Sequence, residues 1–275
     1  MVHSSLFWAN NKLIDHLSTE TLRRLGEPYL AGHSLEHGLE VMQRYYDGRR
    51  IYSTFDILGE SAKTVAEADR YFDAYLKFLV LLPNDFVHQR SPRYRPVSIS
   101  VKPSAICVIK EKPDEAIVNS ETPLIPRLEK IVSAARDLNI DVTLDMEDHR
   151  YTNLSLEAVK TLLAIGYHNL GKVSQARLKR TTTDNYQSYA SIQYNFPHHD
   201  LRDRICQGIY LEPETIAATK KEDIKEQLRL RTKELFDYGI YVEIATHDKH
   251  IIRSALEYIK SNDISPDHYE FQFLK

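Results

Sequence analysis

Short apolar runs that end in polar side chains recur along this chain. In the run 142–147, β-branched and apolar residues are followed by Asp145 and Glu147. Segments with helical spacing of apolar residues precede and follow this run, and the alternation predicts parallel strands joined by helices. In a barrel of parallel strands, the carboxyl ends of the strands form the mouth of the active site. We therefore expect the polar side chains at these ends to lie together.

Seven such strands are predicted, with centres about 30–45 residues apart, which is the period of a βα unit. They cover residues 51–55, 97–102, 142–145, 170–175, 204–207, 240–245 and 269–274. Helices are predicted over 65–79, 128–138, from 155 onward, within 181–198, over 217–236 and over 251–259. The pattern predicts an α/β fold, a (β/α)8 barrel of the TIM type.

The N-terminal part of the chain has a helical pattern. Ser18 is predicted to cap a helix near 19–25, and Ser34 to cap one over 35–46 that ends at Gly48. The predicted domains are a helical segment, 1–48, that packs on a barrel, 49–275. Because a barrel needs eight strands to remove its sheet edges, we expect this one to be truncated after the seventh strand.

Composition and charge narrow the functional class. The chain has 275 residues with 36 Lys and Arg against 39 Asp and Glu, a balance that argues against a nucleic-acid-binding protein. Cys107 and Cys206 lie in apolar runs and are predicted to be buried thiols of a reducing compartment. The apolar run 78–82 is too short to span a bilayer, and the N-terminus has no signal-peptide pattern. A cytoplasmic protein is expected.

Common nucleotide and metal motifs are not found in the sequence. No two of the nine glycines lie closer than five positions apart, which excludes the G-x-G-x-x-G fingerprint, and no such pair is followed by the Lys-Ser or Lys-Thr of a P-loop. His33 and His37 have the i, i+4 spacing of metal ligands on a helix, but no Glu follows His33 as in zincins. We interpret the pair as a solvated helix face and predict no metal.

Taken together, the strand ends resemble those of proline dehydrogenases. The matching segments occur in the family's order from about residue 30 to the C-terminus, and they are 55–60, 101–104, 144–147, 175–181, 204–210, 245–247 and 270–272. The resemblance implies an FAD-dependent barrel that oxidises L-proline to Δ1-pyrroline-5-carboxylate and passes the electrons to a quinone. It also implies peripheral association with the inner membrane at most, and a pyrroline-5-carboxylate dehydrogenase as a possible downstream partner.

The resemblance also implies roles for individual side chains. Lys102 would hold the proline carboxylate, Asp145 would be the active-site carboxylate, and Arg204 would contact the flavin. Tyr210 would form a wall of the proline pocket. Each residue type also has a structural explanation, namely a lysine at a strand end, a helix N-cap, a surface arginine and a core aromatic.

Further positions are implied as contacts of the cofactor. They are Met146, Gln175, Arg204, Gln207, Gly208, Ile209, Thr246 and His247. Three positions depart from the family pattern, because Gln207 replaces a lysine, Ile209 replaces a small alanine and Arg177 stands where a tyrosine is frequent. The family's C-terminal arginine pair, which grips the proline carboxylate, has no counterpart after Leu274.

These departures leave two function classes open. The chain is either a proline dehydrogenase whose last unit is absent from this sequence, or a non-catalytic barrel remnant that acts through binding or assembly. The retained Lys102, Asp145 and Arg204 favour the enzyme, whereas Gln207 and the missing arginine pair favour the remnant. A different flavin-dependent barrel, such as a folate reductase, is a third option on the same fold.

Overall fold

The computed structural model describes residues 18, 21, 26–27, 30–88, 96–109, 122–195 and 201–274. These residues fall into two compact units, one up to Arg50 together with Leu274, and one over 51–273. In the first unit, helix α1 covers Leu35–Arg49, and Ser34 Oγ accepts the backbone N–H of His37 at its start. The predicted cap at Ser34 is thus confirmed. The predicted helix near 19–25 lies largely outside the described residues.

The second unit alternates strands with helices, as predicted. Its strands are β1 Ser53–Asp56, β2 Val97–Val101, β3 Asp141–Leu144, β4 Leu170–Gln175, β5 Arg202–Cys206, β6 Tyr241–Ala245 and β7 Tyr269–Gln272. Its helices are α2 Val65–Leu81, α3 Asn84–His88, α4 Pro103–Ile106, α5 Leu124–Asp137, α6 Thr152–Ala164, α7 Thr181–Asn195, α8 Lys221–Asp237 and α9 Lys249–Ser261. Two 3-10 turns, His149–Tyr151 and Pro266–His268, precede α6 and β7.

All seven strands form one parallel sheet in sequence order, from β1 to β7. This arrangement confirms the predicted α/β barrel-type fold. Because every strand runs in the same direction, the carboxyl ends of all seven lie at one edge of the sheet. Lys102 and Asp145 follow directly on these ends, Gln175 is the last residue of β4, and Arg204 lies within β5.

The outer face of the sheet is mostly apolar and packs under the helices. Ile99, Val142 and Ile244 lie on this face and are completely buried. Helix α5 buries the stripe formed by Leu128 and Ile131, which confirms its predicted apolar face. Burial of each such side chain contributes roughly 1.5–3 kcal/mol, so this layer holds the sheet and helices together.

The inner face of the sheet is polar and charged. Alternate residues of a strand point to opposite faces, so Arg202 and Arg204 share one face of β5, and Asp203 lies on the other. Arg204 reaches Ser100 on β2, three strands away along the sheet, with 2.7 Å between Nη1 and Oγ. A contact between such distant strands requires a curled sheet with these side chains on the concave side.

The starts of two strands differ from the prediction by two residues. Strand β1 begins at Ser53 rather than at residue 51, because the backbone N–H of Ser53 is the first to join the sheet edge, bonding the carbonyl of Pro96. Strand β5 begins at Arg202 rather than at Arg204. The charged residues Arg202 and Asp203 at its start interrupt the apolar pattern, so the pattern did not predict them as part of the strand. Both side chains form ion pairs inside the protein.

Several smaller expectations can be compared with the described residues. Cys107 is buried as predicted, whereas Cys206 is only partly buried, since it faces the inner side of the sheet. In the described part of the chain, no group of three or more potential ligands could hold a metal ion, and no helix is long and apolar enough to cross a membrane. The polar loop 198–200 lies outside the described residues.

Candidate active site

Three consecutive strand ends bring a lysine between two carboxylates. Asp56 ends β1, Lys102 follows β2 and Asp145 follows β3. Lys102 Nζ lies 2.5 Å from Asp56 Oδ2 and 3.3 Å from Asp145 Oδ2. Burial alone would lower the pKa of Lys102, but the carboxylates of Asp145 and Asp56 outweigh it and raise that pKa. Lys102 is therefore a cation at neutral pH, and it lies at the mouth of the curled sheet.

Arg204 approaches Asp145 from the other side of the mouth. Its Nη1 lies 2.7 Å from Asp145 Oδ1 and 2.7 Å from Ser100 Oγ. Its Nε lies 3.3 Å from Glu243 Oε2, an ion pair without hydrogen-bond geometry. The remaining nitrogen, Nη2, is buried and has no hydrogen-bond partner among the described residues. Nε and Nη2 of Arg204 thus both lack a hydrogen bond among the described residues, and only Nε is known to face a carboxylate.

The ion pairs continue below Arg204 into the curled sheet. Glu243 accepts a hydrogen bond from Arg202 Nε at 3.0 Å, and Arg202 also donates to Asp141. Burial works against the ionised form of Glu243, but the neighbouring guanidinium groups of Arg202 and Arg204 lower its pKa overall. Opposite charges therefore alternate from the mouth to the floor of the sheet.

A second group of side chains forms where β3, β4 and β5 end. Gln175 Nε2 donates to the carbonyls of Glu147 at 2.6 Å and Met146 at 3.2 Å, while its Oε1 is buried and accepts no hydrogen bond from the residues that the structure describes. Gly208 has a φ of 88°, and a Cβ on it would lie 2.6 Å from Gln175 Oε1. Only glycine fits this position without strain and displacement. Backbone can therefore approach Gln175 closely here.

Glu147 is a buried carboxyl group behind the mouth. Ser104 donates to it from both the hydroxyl and the backbone N–H, the latter at 2.9 Å. Burial raises the pKa of Glu147 to about 7, although the hydrogen bonds from Ser104 act in the opposite direction. The loop after β3 is thus attached to the start of α4 through a group that titrates near neutral pH.

Tyr210 lies across the mouth from this carboxyl. Its hydroxyl donates to Glu60 Oε2 at 3.1 Å, and Arg177 donates to its backbone carbonyl. Burial, followed by the charges of Glu60 and Glu147, raises the pKa of Tyr210 well above its usual range. The phenol is therefore neutral, and it ties the loop after β5 to the loop after β1.

The other predicted cofactor contacts lie at the rim. Gln207 is exposed, and the side chain of Ile209 is 85% exposed. Thr246 Oγ1 accepts the backbone N–H of Asp248 at 3.1 Å, and the His247 ring packs 5.5 Å from that of Phe273. These residues share the edge of the sheet with the Lys102 cluster, but their side chains are more accessible.

Comparison with known proteins agrees with this architecture. A family model described as proline dehydrogenase matches residues 40–275. The proline dehydrogenase of Deinococcus radiodurans is 28% identical over 97% of this chain and 79% of its own length. Proline dehydrogenase 1 of Bacillus subtilis is 25% identical over 99% of this chain and 82% of its own. The chain belongs to the proline dehydrogenase family. Membership of this family makes it an oxidoreductase of proline catabolism.

The solved structures show the same fold. Proline utilization A from Bdellovibrio bacteriovorus, inactivated by N-propargylglycine, superimposes with a TM-score of 0.79 at 22% identity. The match covers 93% of this chain and 29% of that protein. Proline utilization A from Bradyrhizobium japonicum gives 0.74 at 24% identity, over 95% of this chain and 28% of that one. The chain thus spans less than a third of these larger proteins.

Sequence reasoning missed several members of the site. Asp56, Ser100 and Glu243 all bond to predicted site residues, yet none was singled out as functional. A signal for Glu243 was present, because a charged residue that alternates with Val242 and Ile244 must face the opposite side of a covered strand. In a barrel that side is the interior, where a carboxylate requires a cationic partner.

Proposed function

We propose that this chain oxidises L-proline to Δ1-pyrroline-5-carboxylate with FAD as the electron acceptor, at the carboxyl ends of its strands. The observation that supports this most is the cluster of Lys102, Asp145 and Arg204. It combines a cation at the mouth with a buried guanidinium nitrogen that has no hydrogen bond within the described part of the chain. A zwitterionic amino acid and a polar cofactor ring edge are suited to these two features.

Lys102 is assigned to the proline carboxylate. Its ammonium group has three N–H donors, and among the described residues two of them are directed to Asp56 and Asp145. The third donor can bind a substrate carboxylate through a charge-assisted bond. Asp56 and Asp145 then provide negative charge close to the substrate nitrogen. Tyr210, on the opposite side, is assigned to the pocket wall.

The side chains around Arg204 fit a flavin ring. Arg204 Nη2 is an orphaned donor and Gln175 Oε1 an orphaned acceptor, and the edge of a flavin ring presents both acceptors and a donor. Bound FAD supplies the hydride acceptor for the C–H bond beside the proline nitrogen. The backbones of Met146 and Gly208 leave space for close approach, and Gln207, Ile209, Thr246 and His247 are assigned to the outer parts of the cofactor.

The electron acceptor and the downstream partner follow from the family resemblance. We assign the reoxidation of the flavin to a quinone, which would bring the chain to a membrane surface during transfer. The product is assigned to a pyrroline-5-carboxylate dehydrogenase. Some relatives carry the name bifunctional protein PutA, and this chain is 26% identical to that of Salmonella typhimurium over 20% of the relative's length.

The test is anaerobic addition of L-proline to the FAD-loaded chain while the flavin absorbance is recorded. We expect bleaching of the oxidised flavin band. Lys102→Met should retain FAD but require at least tenfold more proline, since a charge-assisted hydrogen bond contributes about 1.5–3 kcal/mol. Lys179→Met is the matched control, because Lys179 donates to the backbone carbonyls of Glu214 and Thr215 at an exposed strand end.

Each failure has a distinct meaning. Retained flavin that stays oxidised with proline would contradict the assigned reaction and favour the non-catalytic remnant. No retention of FAD would contradict the cofactor assignment as well. Bleaching that is equally affected by Lys102→Met and Lys179→Met would remove Lys102 from the substrate site.

A further inference from the structure

Glu243 lies between two arginines in the core of the curled sheet. Its Oε1 accepts from Arg202 Nε at 3.0 Å, and its Oε2 lies 3.3 Å from Arg204 Nε. Gln272 on β7 donates to Oε2 at 2.9 Å. The side chain of Glu243 is only 1% exposed. One buried carboxylate is therefore shared between a structural arginine and the arginine assigned to the flavin.

The position of Glu243 restricts the orientation of the Arg204 guanidinium. This group is planar and has three nitrogens in a rigid arrangement. Nη1 is held by hydrogen bonds to Asp145 and Ser100, and Nε lies in an ion pair with Glu243, whereas Nη2 is buried without a hydrogen bond among the described residues. Without Glu243, the guanidinium plane of Arg204 would be held at one nitrogen instead of two. The group could then rotate about that nitrogen, and Nη2 would no longer be fixed as the donor available to a ligand.

The charge of Glu243 also acts on the site. The connected ion pairs contain four carboxylates and three cations. The carboxylates are Asp56, Asp141, Asp145 and Glu243, and the cations are Lys102, Arg202 and Arg204. Because Asp141, Arg202, Arg204 and Glu243 are largely shielded from water, the field of each one extends to its neighbours with little screening. The positive potential that Arg204 creates at a ligand is thus reduced by the carboxylate of Glu243 behind it.

We propose that Glu243 is a positioning residue of the flavin site, which orients Arg204 through its Nε and lowers the positive potential that Arg204 exerts on the flavin. This inference rests on the proposed function, since it places the flavin beside Arg204. A positive charge stabilises the electron-rich reduced flavin. Removing the carboxylate of Glu243 should therefore make the bound flavin easier to reduce.

The test is the reduction equilibrium of the FAD-loaded chain against a reference dye of known potential. Glu243→Gln keeps the shape of the side chain and removes its charge. We expect the ratio of reduced to oxidised flavin to rise about tenfold at the same dye poise, which corresponds to about 30 mV for a two-electron couple. Glu243→Asp keeps the charge, but its shorter side chain places the carboxylate farther from Arg204. For this variant we expect the ratio of reduced to oxidised flavin to rise about threefold.

Asp203→Asn is the matched control. Asp203 is a buried carboxylate on β5, directly before Arg204, but it faces the helices and pairs with Lys172 at 2.5 Å. It should lower the melting temperature and shift the reduction ratio by less than twofold. A merely structural role of Glu243 predicts the same pattern for Glu243→Gln as for this control.

An unchanged reduction ratio in Glu243→Gln would overturn the proposal, as would a shift towards the oxidised form. If Glu243→Gln does not retain FAD, Glu243→Asp is measured instead. A ratio of reduced to oxidised flavin in Glu243→Asp equal to that of the unsubstituted chain would then overturn the proposal. The unsubstituted chain distinguishes a failure of this proposal from a failure of the proposed function. If that chain binds FAD and L-proline bleaches its flavin, the proposed function stands whatever the variants show.

Discussion

Two lysine–aspartate pairs on opposite faces of the same sheet have identical separations and different surroundings. Lys102 on the inner side lies 2.5 Å from Asp56, and Lys172 on the outer side lies 2.5 Å from Asp203. The Lys172 side chain is 7% exposed, and its three donors are directed to Ser174, Asn185 and Asp203. Asp56, by contrast, is 40% exposed, and Lys102 has a donor left for a ligand.

The difference teaches that the distance within an ion pair does not identify a functional site. The outer pair closes on itself between β4, β5 and α7, where Tyr189 also donates to Asp203. The inner pair ends at the mouth and belongs to a chain of charges with an unsatisfied guanidinium nitrogen on Arg204. Access from solvent separates the candidate active site from a structural cluster, because Asp203 Oδ1 and Asn185 Nδ2 of the outer cluster are also buried without a hydrogen bond among the described residues.

The largest effect on stability should come from breaking the outer pair. Lys172→Met leaves the carboxylate of Asp203 buried without its cation, and such a loss costs about 3–5 kcal/mol. Lys102→Met should cost no more than about 1 kcal/mol, because Asp56 remains accessible to water. Urea denaturation of both variants measures the two free energies of unfolding.

Replacing both outer partners should restore most of the loss. Lys172→Met combined with Asp203→Leu removes both charges, and a buried pair replaced by apolar groups is often close to neutral. An equal destabilisation by Lys102→Met and Lys172→Met would contradict the distinction between an open and a closed pair.

The next effect concerns the pH dependence of stability. Folding raises the pKa of Glu147 from its ordinary value of 4.5 to about 7, so between these pH values the folded chain binds more protons than the unfolded chain. Stability then falls as the pH rises through this window. Glu147→Gln should remove this part of the decline, about 2–3 kcal/mol over the window.

The measurement is a series of denaturation curves from about pH 4.5 to about pH 7.5, a range that covers the titration of Glu147. Glu129→Gln serves as the control, since Glu129 is half-buried at the surface of α5 and accepts a hydrogen bond from Tyr167. A pH slope that is the same in Glu147→Gln and in the unsubstituted chain would refute the assignment of the titration to Glu147.

A smaller effect is expected from a methyl group at the mouth. Gly208→Ala forces a left-handed backbone on alanine, at about 1–2 kcal/mol, and places Cβ 2.6 Å from Gln175 Oε1. The displaced amide should weaken FAD binding by about tenfold in a fluorescence titration. Gly166→Ala is matched, because Gly166 also has a positive φ, of 100°, but its Cβ would meet nothing within 4 Å.

Both alanine variants should lose similar stability from the backbone strain, and only Gly208→Ala should lose affinity for FAD. If the two variants bind FAD equally well, Gln175 does not contact the cofactor.

The smallest effect is expected at an exposed ion pair. Arg229 Nη2 lies 2.5 Å from Glu226 Oε1 on the solvent side of α8. Since exposed pairs contribute little, Arg229→Ala should change the free energy of unfolding by less than about 0.5 kcal/mol. A loss above about 2 kcal/mol in thermal denaturation would show that separation alone governs the strength of these pairs.

The sequence predicted the architecture and the convergence of polar side chains near the strand ends because both follow from local patterns, whereas the roles of those side chains rest on the family resemblance. Strand β4 was predicted with its observed bounds, and Lys102, Asp145 and Arg204 were all placed at the mouth. Partners such as Glu243 and Asp56 were missed, because pairing across a curled sheet depends on register. Register is a tertiary property that the spacing along one strand does not contain.

The outer cluster shows the same limit. Lys172 and Asp203 lie on the covered faces of β4 and β5, and their pairing depends on the exact alignment of the two strands, where these residues lie opposite each other. The pattern of a single strand indicates a charged residue on a covered face, and only the neighbouring strand identifies its partner.

The most direct measurement is single-turnover reduction of the flavin by L-proline in two FAD-loaded variants. One is Lys102→Met, and the other is the double variant Lys172→Met with Asp203→Leu. We predict that the double variant reacts within about threefold of the unsubstituted chain, whereas Lys102→Met loses at least tenfold in apparent affinity for proline. Equal impairment of both variants, or none in Lys102→Met, would contradict the claim that the inner charge cluster binds the substrate.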